Sequence, residues 1–184
     1  MSMREPIELR REVEATQIPS GYKVMLPRDT RVQITQSLGG HFTVMTDMGH
    51  LVRIADVDAD ALGAEPVQKA QADEAARREG PFELERVMAE LRTVFDPEIP
   101  VNIVDLGLIY DCAAQPLQEG GQKVSIKMSM TAPGCGMGDV IREDVRRKVQ
   151  TLPGVAEVDV EVVWEPPWDQ SRMSEAARLQ LGWM

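Results

Sequence analysis

The segment Lys123–Trp164, "KVSIKMSMTAPGCGMGDVIREDVRRKVQTLPGVAEVDVEVVW", constrains the fold more than any other part of the chain. Over Lys123–Met130, Val124, Ile126, Met128 and Met130 point to one side while Ser125, Lys127 and Ser129 point to the other, which is the alternation of a strand. The loop "TAPGCGMGD" follows. A helix is predicted from about Gly138 to Thr151, with Val140, Ile141, Val145 and Val149 turned inward and Pro153-Gly154 as its stop. A last alternating run, Glu157–Trp164, presents Val158, Val160, Val162 and Trp164 on one face. Two strands joined through a helix of this length run parallel, and the crossover is right-handed.

Upstream, Leu84, Val87, Met88, Leu91 and Val94-Phe95 recur at helical spacing after Gly80-Pro81, and Asp96-Pro97 ends the pattern because the residue before a proline avoids helical geometry. A loop leads to a strand over Leu108–Ala113, which the Gly120-Gly121 turn connects to the next. A Pro-Pro turn and a short helix over Ser174–Leu181 close the chain. The order helix, strand, strand, helix, strand, helix predicts an α/β (α+β) domain with a mixed sheet over residues 81–184. Ahead of it, Tyr22–Leu26, Arg31–Leu38, His41–Thr46 and Leu51–Ala55 alternate between turn signals, so residues 1–57 are expected to form a small antiparallel β unit, a meander or a minimal barrel. Residues 58–80 are rich in alanine and charge without an apolar stripe, and read as a linker.

The net charge of -10 argues against a nucleic-acid surface, because phosphate binding requires clustered Lys and Arg. No apolar run approaches the ~20 residues needed to cross a bilayer, and the start lacks the apolar middle of a signal peptide, so a cytoplasmic, membrane-free location is expected. Two cysteines, Cys112 and Cys135, are too few for a disulfide scaffold and fit a reducing compartment.

Cys135 is the principal chemical candidate. It sits between the carboxyl end of a strand and the amino end of a helix, where exposed N–H groups favour negative charge and lower a thiol pKa from about 8.5 toward neutrality. A thiolate binds metal or attacks an electrophile. Gly134, Gly136 and Gly138 allow unusual backbone geometry and close approach, and Pro133 stiffens the entry. The alternative is a tight turn around a small buried hydrophobe. Cys112 lies within a strand and reads as a core residue. In "DPEIPVNIVDLGLIYD", the acids Asp96, Glu98, Asp105 and Asp111 can orient a ligand, bind a cation or move a proton, but Asp96 and Asp105 also suit turns. Trp168 either seals a cap over the sheet or contacts a partner beside the cysteine loop.

"FDPEIPVNIVDLGLIYD", "VSIKMSMTAPGCGMGDVIREDV" and "LPGVAEVDVEVVWEPPWDQSRMSEAARLQLG" closely resemble the SufT branch of a family of small α/β proteins of iron-sulfur cluster assembly, whose relatives include PaaD and eukaryotic cytosolic factors. The N-terminal "LPRDTRVQITQSLGGHFTVMTDMGHLVRIADVDADALG" is similar to the extension that SufT proteins carry. The resemblance implies maturation of iron-sulfur proteins, not a metabolic reaction. It matches the reactive loop cysteine to Cys135, the loop-opening threonine to Thr131, and the acidic positions to Asp96, Glu98 and Asp105. Many relatives place proline after the cysteine, whereas Gly136 stands here, as in the SufT branch.

The expectation is therefore a non-enzymatic accessory factor of the SUF type. Its Cys135 transiently binds iron or an iron-sulfur cluster, or contacts a scaffold or carrier protein, on behalf of client apoproteins. One chain cannot supply the four thiolates usual for a cluster, so a bound cluster is shared, a homodimer joining two Cys135 loops being one arrangement. A protein-interaction adaptor that binds no metal is the second reading. A thiol enzyme is the third, weakened by the lack of a histidine in the second domain.

Overall fold

The computed structural model describes residues 6–64, 80–134 and 136–183. It divides into two compact units, residues 1–73 and 74–184.

In the first unit, β1 (Ile7–Glu8), β2 (Val13–Gln17), β3 (Lys23–Leu26), β4 (Arg31–Leu38), β5 (His41–Thr46) and β6 (Leu51–Ala55) form one sheet in the order β1-β4-β5-β6-β2-β3. All its pairings are antiparallel, as the hairpin signals require. Two strands escaped the sequence reading. β1 has two residues, too few for periodicity to register, and β2 lies in a start dominated by charge, although Val13 and Ala15 are buried and Glu14 is exposed between them. The reading of residues 58–64 as linker is corrected. Asp56–Leu62 form a 3-10 helix that buries Ala59, Ala61 and Leu62 among Leu9, Val44 and Ile54. Small side chains in a 3-10 turn leave no α-helical stripe to detect. Arg11 fastens the turn, its Nη2 lying 2.8 Å from Asp58 and 2.6 Å from Asp60, and these carboxylates hold its guanidinium firmly charged. The remaining residues of the expected linker, 65–79, lie outside the described ones.

In the second unit, α1 (Leu84–Leu91) buries Val87 and Leu91 and ends one turn earlier than the apolar pattern, because Val94 and Phe95 belong to a loop closed by a bridge between Phe95 and Asn102. Then follow β7 (Ile109–Pro116), β8 (Gln122–Met128), α2 (Met137–Gln150), β9 (Val155–Val162), a 3-10 turn (Gln170–Arg172) and α3 (Glu175–Leu181). The sheet runs β7-β8-β9, antiparallel between β7 and β8 and parallel between β8 and β9. The mixed sheet and the crossover expected from the Lys123–Trp164 pattern are both present. Ile126, Met128, Met130, Met137, Ile141, Val145 and Val149 are buried, so the helix packs its apolar stripe on the apolar face of the strands.

Candidate functional site at the strand ends

The parallel strands β8 and β9 end side by side. Val163 N–H donates to Met128 O at 2.8 Å, and Ser129 N–H donates to Leu108 O at 2.8 Å, so the chain entering β7 meets the chain leaving β8. This topology gathers three stretches at one end of the sheet, Leu106–Leu108, Ser129–Gly134 and Val163 onward, with α2 starting shortly after the second. The carboxyl ends of parallel strands are where α/β sheets collect ligands.

Cys135 itself lies outside the described residues. Around it, Thr131 is half-buried, and Ala132, Pro133, Gly134 and Gly136 are exposed. Of the three glycines expected to need their freedom, only Gly134 uses it, with φ at +79°. Gly136 has ordinary helical angles, φ -62° and ψ -13°, at the N-cap of α2, where as a glycine it supplies no capping side chain. Gly138 is buried, and a Cβ there would meet Met130 at 3.6 Å, an ordinary contact. The amino end of α2 therefore lies beside the loop with a glycine at its N-cap, which offers its N–H groups no side-chain acceptor, a setting that favours an anion.

The acidic segment is built from turns. Asp96 is buried, and its Oδ1 accepts from the N–H groups of Glu98 at 2.8 Å and Ile99 at 3.2 Å, while Glu98 is exposed. Asn102 Oδ1 accepts from the N–H groups of Val104 and Asp105, and Asn102 Nδ2 donates to Asp105 Oδ2 at 2.6 Å. Asp96 and Asp105 thus shape the loop that delivers Leu106–Leu108 to the strand ends.

A strap formed by residues 166–174 crosses that loop. Trp168 Nε1 donates to Leu106 O at 2.8 Å, Tyr110 Oη donates to Pro166 O at 2.9 Å, and Ser174 N–H donates to Asp105 O at 2.8 Å. The Arg172 guanidinium lies 4.2 Å from the Tyr110 ring centroid. Gly107, at φ +71°, lets Arg172 O approach to where a Cβ would be only 2.1 Å away. Trp168 is half-buried, whereas Trp164 and Trp183 are 45% and 41% exposed, so the indole expected to meet a partner is not the freely presented one. Sequence reasoning missed Gly107, Tyr110, Arg172 and Ser174 as strap contacts; Gly107 within "DLGL" was the visible signal. It also missed Ser129, whose hydroxyl is buried without a partner among the described residues.

Cys112 is half-buried opposite Ile126, on the core side of β7. Burial, and then the charge of Asp111, push its thiol pKa up, which keeps it protonated near neutral pH. Among the described residues no group of three or more His, Cys, Asp and Glu is arranged to hold a metal ion.

Known proteins resemble this unit. The sequence profile described as "Iron-sulfur cluster assembly protein" matches residues 84–162. An "Fe-S protein maturation auxiliary factor" of Porphyromonas gingivalis is 46% identical over 102 residues, 54% of this chain and 91% of that protein. The chain belongs to the iron-sulfur cluster assembly protein family. Another relative in this family assignment, the "Fe-S protein maturation auxiliary factor SufT" of Staphylococcus aureus, is 36% identical over 89 residues, 48% of this chain and 97% of that protein. The resemblance to SufT proteins stated from the motifs of the second unit is thereby borne out. A solved "Domain of Unknown Function DUF59 from Bacillus anthracis" shares 42% identity and a TM-score of 0.50, covering 54% of this chain and 91% of that one.

Proposed function

We propose that this member of the iron-sulfur cluster assembly family is an accessory factor in the maturation of iron-sulfur proteins, in which Cys135 handles iron or a cluster in passing. The reading is carried by about half of this chain, which is similar to proteins named as Fe-S maturation auxiliary factors over nearly the whole of their own length. The surroundings of the loop agree with it. Exposed Ala132, Pro133, Gly134 and Gly136 leave room for another protein's surface, and the start of α2, with a glycine at its N-cap, favours a thiolate just ahead of it.

The iron or cluster is cargo. With Cys112 turned to the core and protonated, the chain offers one candidate thiolate, so the remaining ligands come from another chain or a small thiol. Scaffold or carrier proteins and client apoproteins are the partners this reading requires, and a homodimer is one way of sharing the cargo. The role is non-enzymatic and set in the cytoplasm. No helix among the described residues is long and apolar enough to cross a membrane. We read the N-terminal unit as an addition to the family domain, because the Staphylococcus aureus SufT is covered over 97% of its own length by 89 aligned residues.

A second reading, an adaptor that binds no metal, is favoured by one feature: Trp164 is exposed just beyond β9, at the end of the sheet that carries the loop. Anaerobic incubation with iron and sulfide separates the two. The first predicts charge-transfer absorption that disappears in Cys135→Ala. Absorption unchanged in that variant contradicts the ligand role, and full client maturation by Cys135→Ala favours the adaptor.

A further inference from the structure

The three-stranded sheet has two outer edges, β7 and β9, and they differ in a way that matters for docking. An edge strand turns every second peptide group outward, available to another strand. On β7 this edge is blunted at both ends. A bulge interrupts the register between Ile109 and Asp111, and Pro116 ends the strand. Leu117 N–H donates inward to Gly121 O, so by alternation Pro116 faces outward and offers no donor there.

β9 carries neither device along its length. Val163 N–H donates inward to Met128 O, so by alternation Val158, Val160 and Val162 turn their amides away from β8. One outward carbonyl, Ala156 O, is taken by Gln150 Nε2 at 3.2 Å, and this marks the start of the open stretch. Glu157, Asp159 and Glu161 alternate along the solvent-facing side of this strand and are all exposed. Lys123 Nζ reaches Glu157 at 2.6 Å, and Lys127 stands in register with Glu161, while Asp159 is aligned with Ser125. The charge of the edge stays negative. Beyond it stands the exposed indole of Trp164.

We propose that β9 is a docking edge for an extended segment of a partner protein that carries lysine or arginine at alternate positions. The outward amides supply sheet hydrogen bonds, and the acidic row supplies complementary charge to the side chains on the same face. A second copy of this chain is a poor occupant. Pairing two β9 strands antiparallel about Asp159 would set Asp159 against Asp159 and Glu157 against Glu161, and like charges directly opposite destabilise a sheet. The proposal makes no use of Cys135, so its test and that of cluster handling fail separately.

The test uses the full chain and a short peptide alternating threonine with lysine, compared with one alternating threonine with glutamate. Amide hydrogen exchange followed by NMR should slow at Val158, Val160 and Val162 with the lysine peptide and remain unchanged with the glutamate peptide. Asp159→Lys should weaken the lysine peptide roughly fivefold, the size of one reversed cross-strand charge contact. Val160→Pro keeps every charge but removes the central outward donor; where circular dichroism shows it folded, it should abolish the protection. Equal binding of both peptides, protection confined to other strands, or an affinity unmoved by Asp159→Lys would overturn the proposal. So would a dimer in sedimentation that Asp159→Lys alone disrupts or strengthens, because it would give the edge to a second copy.

Discussion

Gly107 and Gly134 both hold positive φ, yet substituting them has different consequences. A Cβ at Gly107 would lie 2.1 Å from the backbone oxygen of Arg172, whereas one at Gly134 would meet nothing within 4 Å. Gly134→Ala is therefore expected to cost about 1 kcal/mol, the left-handed penalty alone. Gly107→Ala adds a clash with backbone that must move and should cost about 3 kcal/mol in urea unfolding. Ser129 points the other way: its buried hydroxyl has no partner among the described residues, so Ser129→Ala should raise stability by about 1 kcal/mol. A stability loss instead would show that the hydroxyl is engaged in solution. For Cys112, the raised thiol pKa means that folding favours the protonated form. Its contribution is fully present below the unfolded thiol pKa and is lost as pH rises through the folded value. In the Cys135→Ala variant, alkylation of Cys112 at mildly alkaline pH should run well below the rate of a free model thiol, and a matching rate would refute the assignment. Asp96 and Asp105 appeared in the sequence as acids with chemical potential; the structure adds that both serve turns, one through its own following N–H groups and the other through Asn102. That distinction depends on backbone geometry, which a residue type does not reveal.

At the scale of elements, β8, α2 and β9 were legible because each buries one face against a continuous core, so its period is written in the order of its apolar residues. The strap over residues 166–174 was not. It is held by single hydrogen bonds from Trp168, Tyr110 and Ser174 to backbone oxygens, and such contacts leave no periodic trace. The same holds for the 3-10 helix of the first unit, where alanines do the packing. Trp168→Phe keeps one aromatic ring but removes both the donor to Leu106 O and part of the packed indole, and should cost about 2 kcal/mol. Because Leu106–Leu108 adjoin Ser129, the same variant should speed amide exchange at Ser129 and Met130 while leaving β9 unchanged. Uniform acceleration across the sheet would show instead that the strap supports general stability only.

For the molecule as a whole, the match to the family model falls within the second unit, and the Porphyromonas gingivalis relative is covered over 91% of its own length by 102 aligned residues. Proteins of nearly this extent stand without a counterpart of the first unit in the aligned region. Residues 80–184 alone are accordingly expected to unfold cooperatively, with the same secondary-structure signature that the unit contributes to the full chain by circular dichroism. Loss of cooperativity would mean that the first unit is needed for folding. The division of labour that follows is simple in charge and chemistry: one end of the second unit's sheet presents the cysteine loop, one edge presents an acidic strand, and the net charge of -10 suits recruitment of proteins over nucleic acids. The central claim is that Cys135 is the chain's ligand for iron or cluster. Anaerobic reconstitution of the full chain with iron and sulfide, followed by visible absorption in the natural protein, Cys112→Ala and Cys135→Ala, tests it most directly. The account predicts charge-transfer bands in the first two and none in the third; bands that survive in Cys135→Ala and vanish in Cys112→Ala would contradict it.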